Sequence, residues 1–333
     1  MSIGRYLSIA GAAVALAWAA PAAAQTIQVK IAHATINDVQ DEWAKRLKAR
    51  LEARSNGRFQ ATVYPASQLG ITPRQVEGLQ LGTIEFMAAP PQFLVGVDPR
   101  YQVPAAPGLF DDLAHANRTI SDPRVRDAVL SIGEAKGLVG VSFIIYGPGG
   151  FQTREPLASP ESLKGKKIRV LAADVEVEPV KHYGGTGVPM ALGELAGALQ
   201  QGVVDGSSTS LTVASAFKLA AVAKFHTESV WQIHTTVGLV SKVWLDRLPA
   251  DLRKIVMEES KAVEPELFDW MVASQGRARE AWAQLGGQYA EWPAADRPKM
   301  MATLSGIAER IVSKDPGSKK LYDTMVMVAK EKK

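Results

Sequence analysis

The chain contains no cysteine in 333 residues. That excludes disulfides, thiolate nucleophiles, cysteine zinc sites and a lipid-modified N-terminal cysteine. Strong charge of one sign is also missing: 38 Lys and Arg stand against 34 Asp and Glu, a formal charge of +4. The basic residues are dispersed and are not interleaved with aromatics, so nucleic acid is not an expected partner. There is no Gly-x-Gly-x-x-Gly, phosphate loop, His-Glu-x-x-His or Gly-x-Ser-x-Gly in the sequence. Those absences remove the common nucleotide, zinc-protease and serine-hydrolase signatures. The five histidines, His33, His115, His182, His226 and His234, fit no common zinc spacing and read as packing residues. Asp174, Glu176 and Glu178 alternate without the glycine turn of a calcium loop, which predicts a solvated acidic strand edge. No cofactor, no metal and no catalytic residue are expected.

What is present begins with a leader. Arg5 precedes an apolar run from Ile9 to Ala20, followed by Pro21-Ala22-Ala23-Ala24. Charge, short apolar core and a small-residue Ala-x-Ala site in that order predict a secretory signal over residues 1–24. The run is shorter than the roughly 20 residues that span a bilayer. A mature periplasmic protein, starting at Gln25 and free of lipid, is therefore expected. Its length suits two domains, and 47% hydrophobic residues suffice for real cores.

Beyond the leader, strand and helix patterns alternate, which predicts an α/β class. Ile27 to Ile31 alternates apolar and polar residues. A helix follows from Asp41, capped by Asn37 or Asp38, with Trp43, Leu47 and Leu51 on one face and Gly57 at its end. Arg58 to Tyr64 reads as a strand, and Thr72-Pro73 as the cap and first residue of a second helix ending at Gly82. Leu79-Gln80-Leu81-Gly82-Thr83-Ile84-Glu85 is echoed at Leu199-Gln200-Gln201-Gly202-Val203-Val204-Asp205, which suggests the same unit in two lobes. Tyr146 to Gly150, after the apolar strand Val139 to Ile145, is a candidate hinge. Pro249 to Leu285 reads as helix, with Leu252 and Val256, then Leu267 and Met271, on recurring faces. Pro265 is expected to kink or split it. In Gly165-Lys166-Lys167-Ile168-Arg169-Val170, Ile168 and Val170 point to a core while Lys167 and Arg169 point away. The arginine fork suits a carboxylate better than a lysine does.

That last segment carries a resemblance. Ser162 to Val170, then Val188-Pro189-Met190, Glu194 and Ala198 to Gly206, are similar to the core signature of the TRAP-transporter solute-binding proteins of the C4-dicarboxylate-binding DctP type. Val63 to Gly70, Pro107-Gly108-Leu109-Phe110 and Trp244 to Pro249 resemble further family segments, so the likeness runs from about residue 27 to 313. The tripartite tricarboxylate receptors lack the Gly-Lys-Lys-Ile-Arg-Val segment in this context. The resemblance implies a two-lobed periplasmic-binding-protein-like α/β fold with hinge segments, a long connecting helix and an interlobe cleft. Lobe I is expected over residues 25–146 plus about 235–274, and lobe II over 147–234 plus about 275–333. It implies a monomeric receptor, not an enzyme, that hands a small organic acid to a small and a large membrane subunit. A ligand sensor presenting to a signalling receptor is the alternative role.

Within that resemblance Arg169 stands where the family pairs an arginine with the ligand carboxylate. Four further polar positions of sialic-acid-binding members fall on Ala34, Pro90, Gly149 and Thr209, and Trp231 stands where many members have histidine. These departures predict a carboxylate with an apolar or aromatic body, with a C4-dicarboxylate or a sugar acid as the alternative. Ser208 and Thr209 are candidate hydroxyl donors, with Ser207 beside them, and Phe151 and Trp231 candidate walls. Gln92, His33 and Leu192 complete the candidate set.

Overall fold

The computed structural model describes residues 26–333. The expected leader lies outside the described residues. The first half of the chain forms β1 (Ile27–His33), α1 (Val39–Arg54), β2 (Phe59–Tyr64), α2 (Thr72–Leu81) and β3 (Phe86–Ala89). Two 3₁₀ turns, Pro91–Leu94 and Pro99–Ala105, lead to α3 (Leu113–Ile120), α4 (Pro123–Leu130) and the long β4 (Leu138–Thr153). The second half runs β5 (Lys167–Val170), α5 (Asp174–His182), β6 (Thr186–Pro189), α6 (Leu192–Gln200), β7 (Gly206–Thr209), α7 (Leu211–Ala216) and the long β8 (Phe225–Ser241). The chain ends with α8 (Lys242–Arg247), α9 (Ala250–Ala262), α10 (Pro265–Gln284), β9 (Gln288–Glu291), α11 (Arg297–Val312) and α12 (Pro316–Glu331).

Among the described residues one sheet carries the molecule, in the order β2-β1-β3-β8-β4-β7-β5-β6, with β9 beside β8. β1 is parallel to both β2 and β3, and β5 is parallel to both β6 and β7. The two halves therefore repeat one topology. β4 and β8 run antiparallel through both. Residues 138–145 of β4 pair with 235–241 of β8 beside β3, and residues 150–153 pair with 225–228 beside β7.

The echo seen in the sequence is structural. Gly82 and Gly202 both end their helices at positive φ, +74° and +70°, where a side chain would be strained. Thr83 N donates to Gly78 O at 2.9 Å, and Val203 N donates to Ala198 O at 2.9 Å. The closing acid of each copy receives a main-chain N–H of its central strand: Lys30 N to Glu85 at 2.6 Å and Lys167 N to Asp205 at 2.8 Å. Each strand proper starts one residue after the echo ends.

Several local expectations are met and others shift. Asp38 is the cap of α1, accepting from Gln40 N and Asp41 N at 3.0 and 3.1 Å. Pro265 splits the predicted helix, because it opens α10 with only Val263 and Glu264 between it and the end of α9. Thr72 is not the cap of α2. Ile71 holds that place, so Thr72 is helical and its hydroxyl is free for other contacts. The acidic strand edge is wrong as well. Asp174 to Glu178 lies in α5, where Glu176 is 3% exposed. The glycines around 147–150 do not form a loop. They sit inside β4, whose register slips between Ile145 and Gly147 and again between Pro148 and Gly150.

α10 ties the halves together. Its N-terminal end is held to α1 by Glu266, which pairs with Arg46 at 2.8 Å and with Arg50. Towards its other end, Ala278 O accepts from Ser215 of α7 at 2.8 Å, and Trp282 is buried against α6 and α7. The core of the first half centres on Trp43, whose indole N–H donates to Ser142 Oγ at 2.9 Å. The ring lies flat over Gly238 of β8, where an added Cβ would stand 2.6 Å from Trp43 Cζ2 and 2.9 Å from Ser142 Cβ. Gly238→Ala is expected to lower stability by about 1–3 kcal/mol through overpacking. Urea unfolding at neutral pH checks this. An unchanged midpoint would mean that Trp43 repacks freely.

Candidate functional site

The cleft lies where the two halves face each other across the β4–β8 crossing. From the first half come Ala34 and Thr35 after β1, Gln40 of α1, Thr72 of α2, and Pro90 and Phe93 after β3. The crossing strands add Tyr146, His234 and Thr235. The second half brings Arg169, Leu171, Leu192, Thr209 and Val213. The cleft holds about 520 Å³ of space, part of it open to solvent, and its wall is largely apolar.

Arg169 occupies the third position of β5, between the core residues Ile168 and Val170, and is itself 2% exposed. Main-chain carbonyls hold the guanidinium in place. Nε donates to Met190 O at 2.9 Å, and Nη1 reaches Ser208 O at 3.5 Å. Among the described residues no carboxylate comes within 4 Å of it. Burial pulls its pKa down to about 10, while Glu176 and Glu194 act to raise it. It is still a cation at neutral pH. A buried guanidinium with unused N–H groups facing a largely apolar cleft has the chemistry to hold an anion.

His234 stands beside it on β8, opposite Gly147. Its Nε2 is buried without a partner. Burial, and then the Arg169 charge, lower its pKa to about 4, so the ring is neutral at pH 7. Gly149 makes room for it, since a Cβ there would lie 3.1 Å from that nitrogen. Across the cleft the polar groups are mostly committed. Thr35 donates to Gln40 Oε1 at 3.2 Å, and Gln40 donates to Thr236 Oγ1 at 2.9 Å. The Tyr146 hydroxyl donates to the Asp38 carboxylate, whose pKa burial raises to about 6 against the hydrogen bonds from Tyr146 and from the Asp41 main chain. This fixes the Tyr146 ring on the wall.

Of the eight candidates from the sequence, Arg169, Thr209 and Leu192 line the cleft. Ser208 contributes its main-chain carbonyl to Arg169, while its side chain is buried. Phe151 and Trp231 are not cleft walls. They pack edge to face at 4.8 Å, with Trp292 beside both, in the core of the second half. Gln92 points away and donates to Glu176 at 2.7 Å. His33 is buried behind the cleft, 3.6 Å from Asp41, and burial lowers its pKa to about 4. The sequence reading missed His234, Tyr146, Phe93, Thr35, Gln40 and Thr72. Ala34 and Pro90, noted only as replacements, do line the cleft. Among the described residues no three His, Asp or Glu side chains gather to hold a metal, and no helix is long and apolar enough to cross a membrane.

Two repeated α/β lobes around a largely apolar cleft define the class of two-lobed solute-binding proteins. The sequence profile described as bacterial extracellular solute-binding protein, family 7, or DctP, matches residues 31–315. The chain belongs to that family, whose members are extracytoplasmic receptors rather than enzymes. The chain is 30% identical over 250 residues to the C4-dicarboxylate-binding periplasmic protein DctP of Rhodobacter capsulatus, covering 74% of each. It is 27% identical to a TRAP periplasmic solute binding protein of Xanthobacter autotrophicus Py2 solved with β-D-galacturonate, with a TM-score of 0.83 over 91% of this chain and 99% of that one. The fold also matches the sugar acid binding protein DctPAm of Advenella mimigardefordensis, in complex with galactonate, at a TM-score of 0.87 and 20% identity over 93% and 99% of the two chains.

Proposed function

We propose that this protein is the periplasmic receptor of a TRAP transporter, and that it binds a small organic carboxylate without turnover and delivers it to the small and large membrane subunits. The observation that carries this reading is Arg169: a buried cation with no ion-pair partner within 4 Å among the described residues, aimed into the cleft. Thr209 and His234 flank the place where the carboxylate would sit. Its body would rest on Pro90, Phe93, Leu171, Leu192 and Val213. The lobes are taken as residues 25–146 plus about 235–274, and 147–234 plus about 275–333. The protein is taken as a monomer, exported by residues 1–24 and free of lipid.

A second reading is a sugar acid or C4-dicarboxylate. It is favoured by the hydroxyls of Thr35, Thr72, Tyr146, Thr209 and Thr235 on the cleft wall, and by what the relatives named above bind. The apolar wall rewards a hydrophobic body by roughly 25 cal/mol per Å². It penalises each unpaired ligand hydroxyl by about 1–3 kcal/mol. Protein stripped of ligand by unfolding and refolding separates the readings in a thermal-shift series with benzoate, 4-methyl-2-oxopentanoate, succinate and D-galacturonate. The monocarboxylates are expected to raise the melting temperature most. The largest shift with galacturonate or succinate would transfer the assignment to the second reading.

A further inference from the structure

Behind the Arg169 guanidinium lies a buried polar cluster. Glu176 of α5 is 3% exposed, and its Oε1 accepts from Gln92 Nε2 at 2.7 Å and from Gln232 Nε2 at 2.8 Å. The same Gln232 amide donates to Ala105 O at 2.6 Å. Gln92 and Ala105 belong to the 3₁₀ turns that follow β3, whereas α5 follows β5. One carboxylate therefore joins the second half of the molecule to two segments of the first. Gln92 Oε1, on the side chain that already touches Glu176, is buried without a partner.

Arg169 is the charged group whose field reaches Glu176. Other charges on the elements packed against α5 are engaged elsewhere. Arg100 of the second 3₁₀ turn is held by Asp98 at 2.7 Å, and Lys314, just past α11, lies 3.8 Å from Asp174. β6 carries no charged side chain. On α5 itself Lys181 faces Glu178 at 3.5 Å. His234 of β8 is coupled to Arg169 instead.

Arg169 and Glu176 are together neutral. A ligand carboxylate would leave two anions and one cation in a buried site. Glu176 is the group best placed to give up its charge, because burial already favours its neutral form and holds its pKa near 6. Once protonated it still accepts from both amides, and its new O–H has the vacant Gln92 Oε1 as an acceptor.

We propose that Glu176 is a positioning residue that acts on the ligand through Arg169, so that each carboxylate bound brings one proton onto Glu176 and strengthens the Gln92 contact between the lobes. This rests on the carboxylate reading above. The test is calorimetry with the tightest binder of the ligand series, in phosphate and in Tris, which reads the protons taken up per ligand. Wild type is expected to take up close to one proton at pH 7, and its affinity to fall about five- to tenfold from pH 6.5 to 7.5. Glu176→Gln keeps both amide contacts and is expected to show no uptake and a flat pH profile. Glu176→Asp, which retains a titrating group, restores uptake. Unchanged uptake in Glu176→Gln overturns the inference, as does its absence from wild type while binding still depends on Arg169. So does uptake lost in His234→Gln but kept in Glu176→Gln. Binding that ignores Arg169→Ala would overturn the carboxylate reading itself.

Discussion

Arg169→Ala is expected to weaken binding of the carboxylate by roughly 2–5 kcal/mol, about 30-fold to several thousand-fold. Much of that cost comes from leaving the ligand anion buried with no cation to face it, rather than from two lost hydrogen bonds. Arg169→Lys is expected to bind almost as poorly. Nε and Nη1 of Arg169 already serve Met190 O and Ser208 O while the rest of the fork faces the cleft. A lysine ammonium cannot occupy all of those positions at once. Calorimetry on both variants, with melting curves to show that each is folded, decides the matter. Wild-type affinity in a folded alanine variant would remove Arg169 from the site.

The second large effect concerns pH. His226 and His234 are buried and neutral, with pKa values lowered by burial to about 3 and about 4. The ordinary value of about 6.5 returns when the chain unfolds. Between those limits the unfolded state binds more protons, so stability is complete above pH 6.5 and is lost as pH falls towards 4. At about 1.4 kcal/mol per unit, each ring accounts for roughly 3–5 kcal/mol over that span. Asp38 and Glu176 oppose the trend. Burial raises both carboxyls to about 6, so their cost is relieved on acidification below that pH. The histidine loss therefore begins first, just below neutrality. His226 resists a proton because it is buried and Arg279 adds its positive field, and its Nδ1 already accepts from Gln152 Nε2 at 2.7 Å. Protonation would set two donors against each other. Urea midpoints are expected to fall from pH 7.5 to 6 and to flatten below pH 6, where the two carboxyls compensate, with a smaller fall in His226→Gln throughout. Equal slopes would show that other groups drive the loss.

How much was legible follows the regularity of each segment. The Gly-Lys-Lys-Ile-Arg-Val run placed Arg169 on a strand opposite the core residues because β5 is short, regular and paired on both sides, and the family resemblance singled it out as a ligand contact. The echo between residues 79–85 and 199–205 survived because a helix stop followed by a strand needs the same glycine and the same closing acid twice. Glu176 was misread because Asp-Val-Glu-Val-Glu alternates like a strand. On a helix, residues 174 and 178 share one face and 176 takes the opposite one, which here is the interior. Phe151 and Trp231 were misplaced for a different reason. Pro148 pairs with Ile233 but Gly150 pairs with Glu228, so β8 spends several extra residues where β4 spends one. Alternation cannot be carried through such a break. Trp231 falls in that stretch and turns into the core, while His234, just outside it, reaches the cleft. Nothing in the sequence marks where the register slips.

The crossing strands also set the order in which the protein comes into being. β3 meets its neighbour β8 only about 150 residues further along the chain, and β4 waits for the same strand. A nascent polypeptide that has completed its first half therefore holds an apolar strand edge with no occupant. It must remain unfinished until most of its length has been made. Such distant pairings are slow to form. For a chain expected to pass through a membrane pore before it folds, that slowness is an asset: the thread stays loose until the last third has arrived to close the sheet.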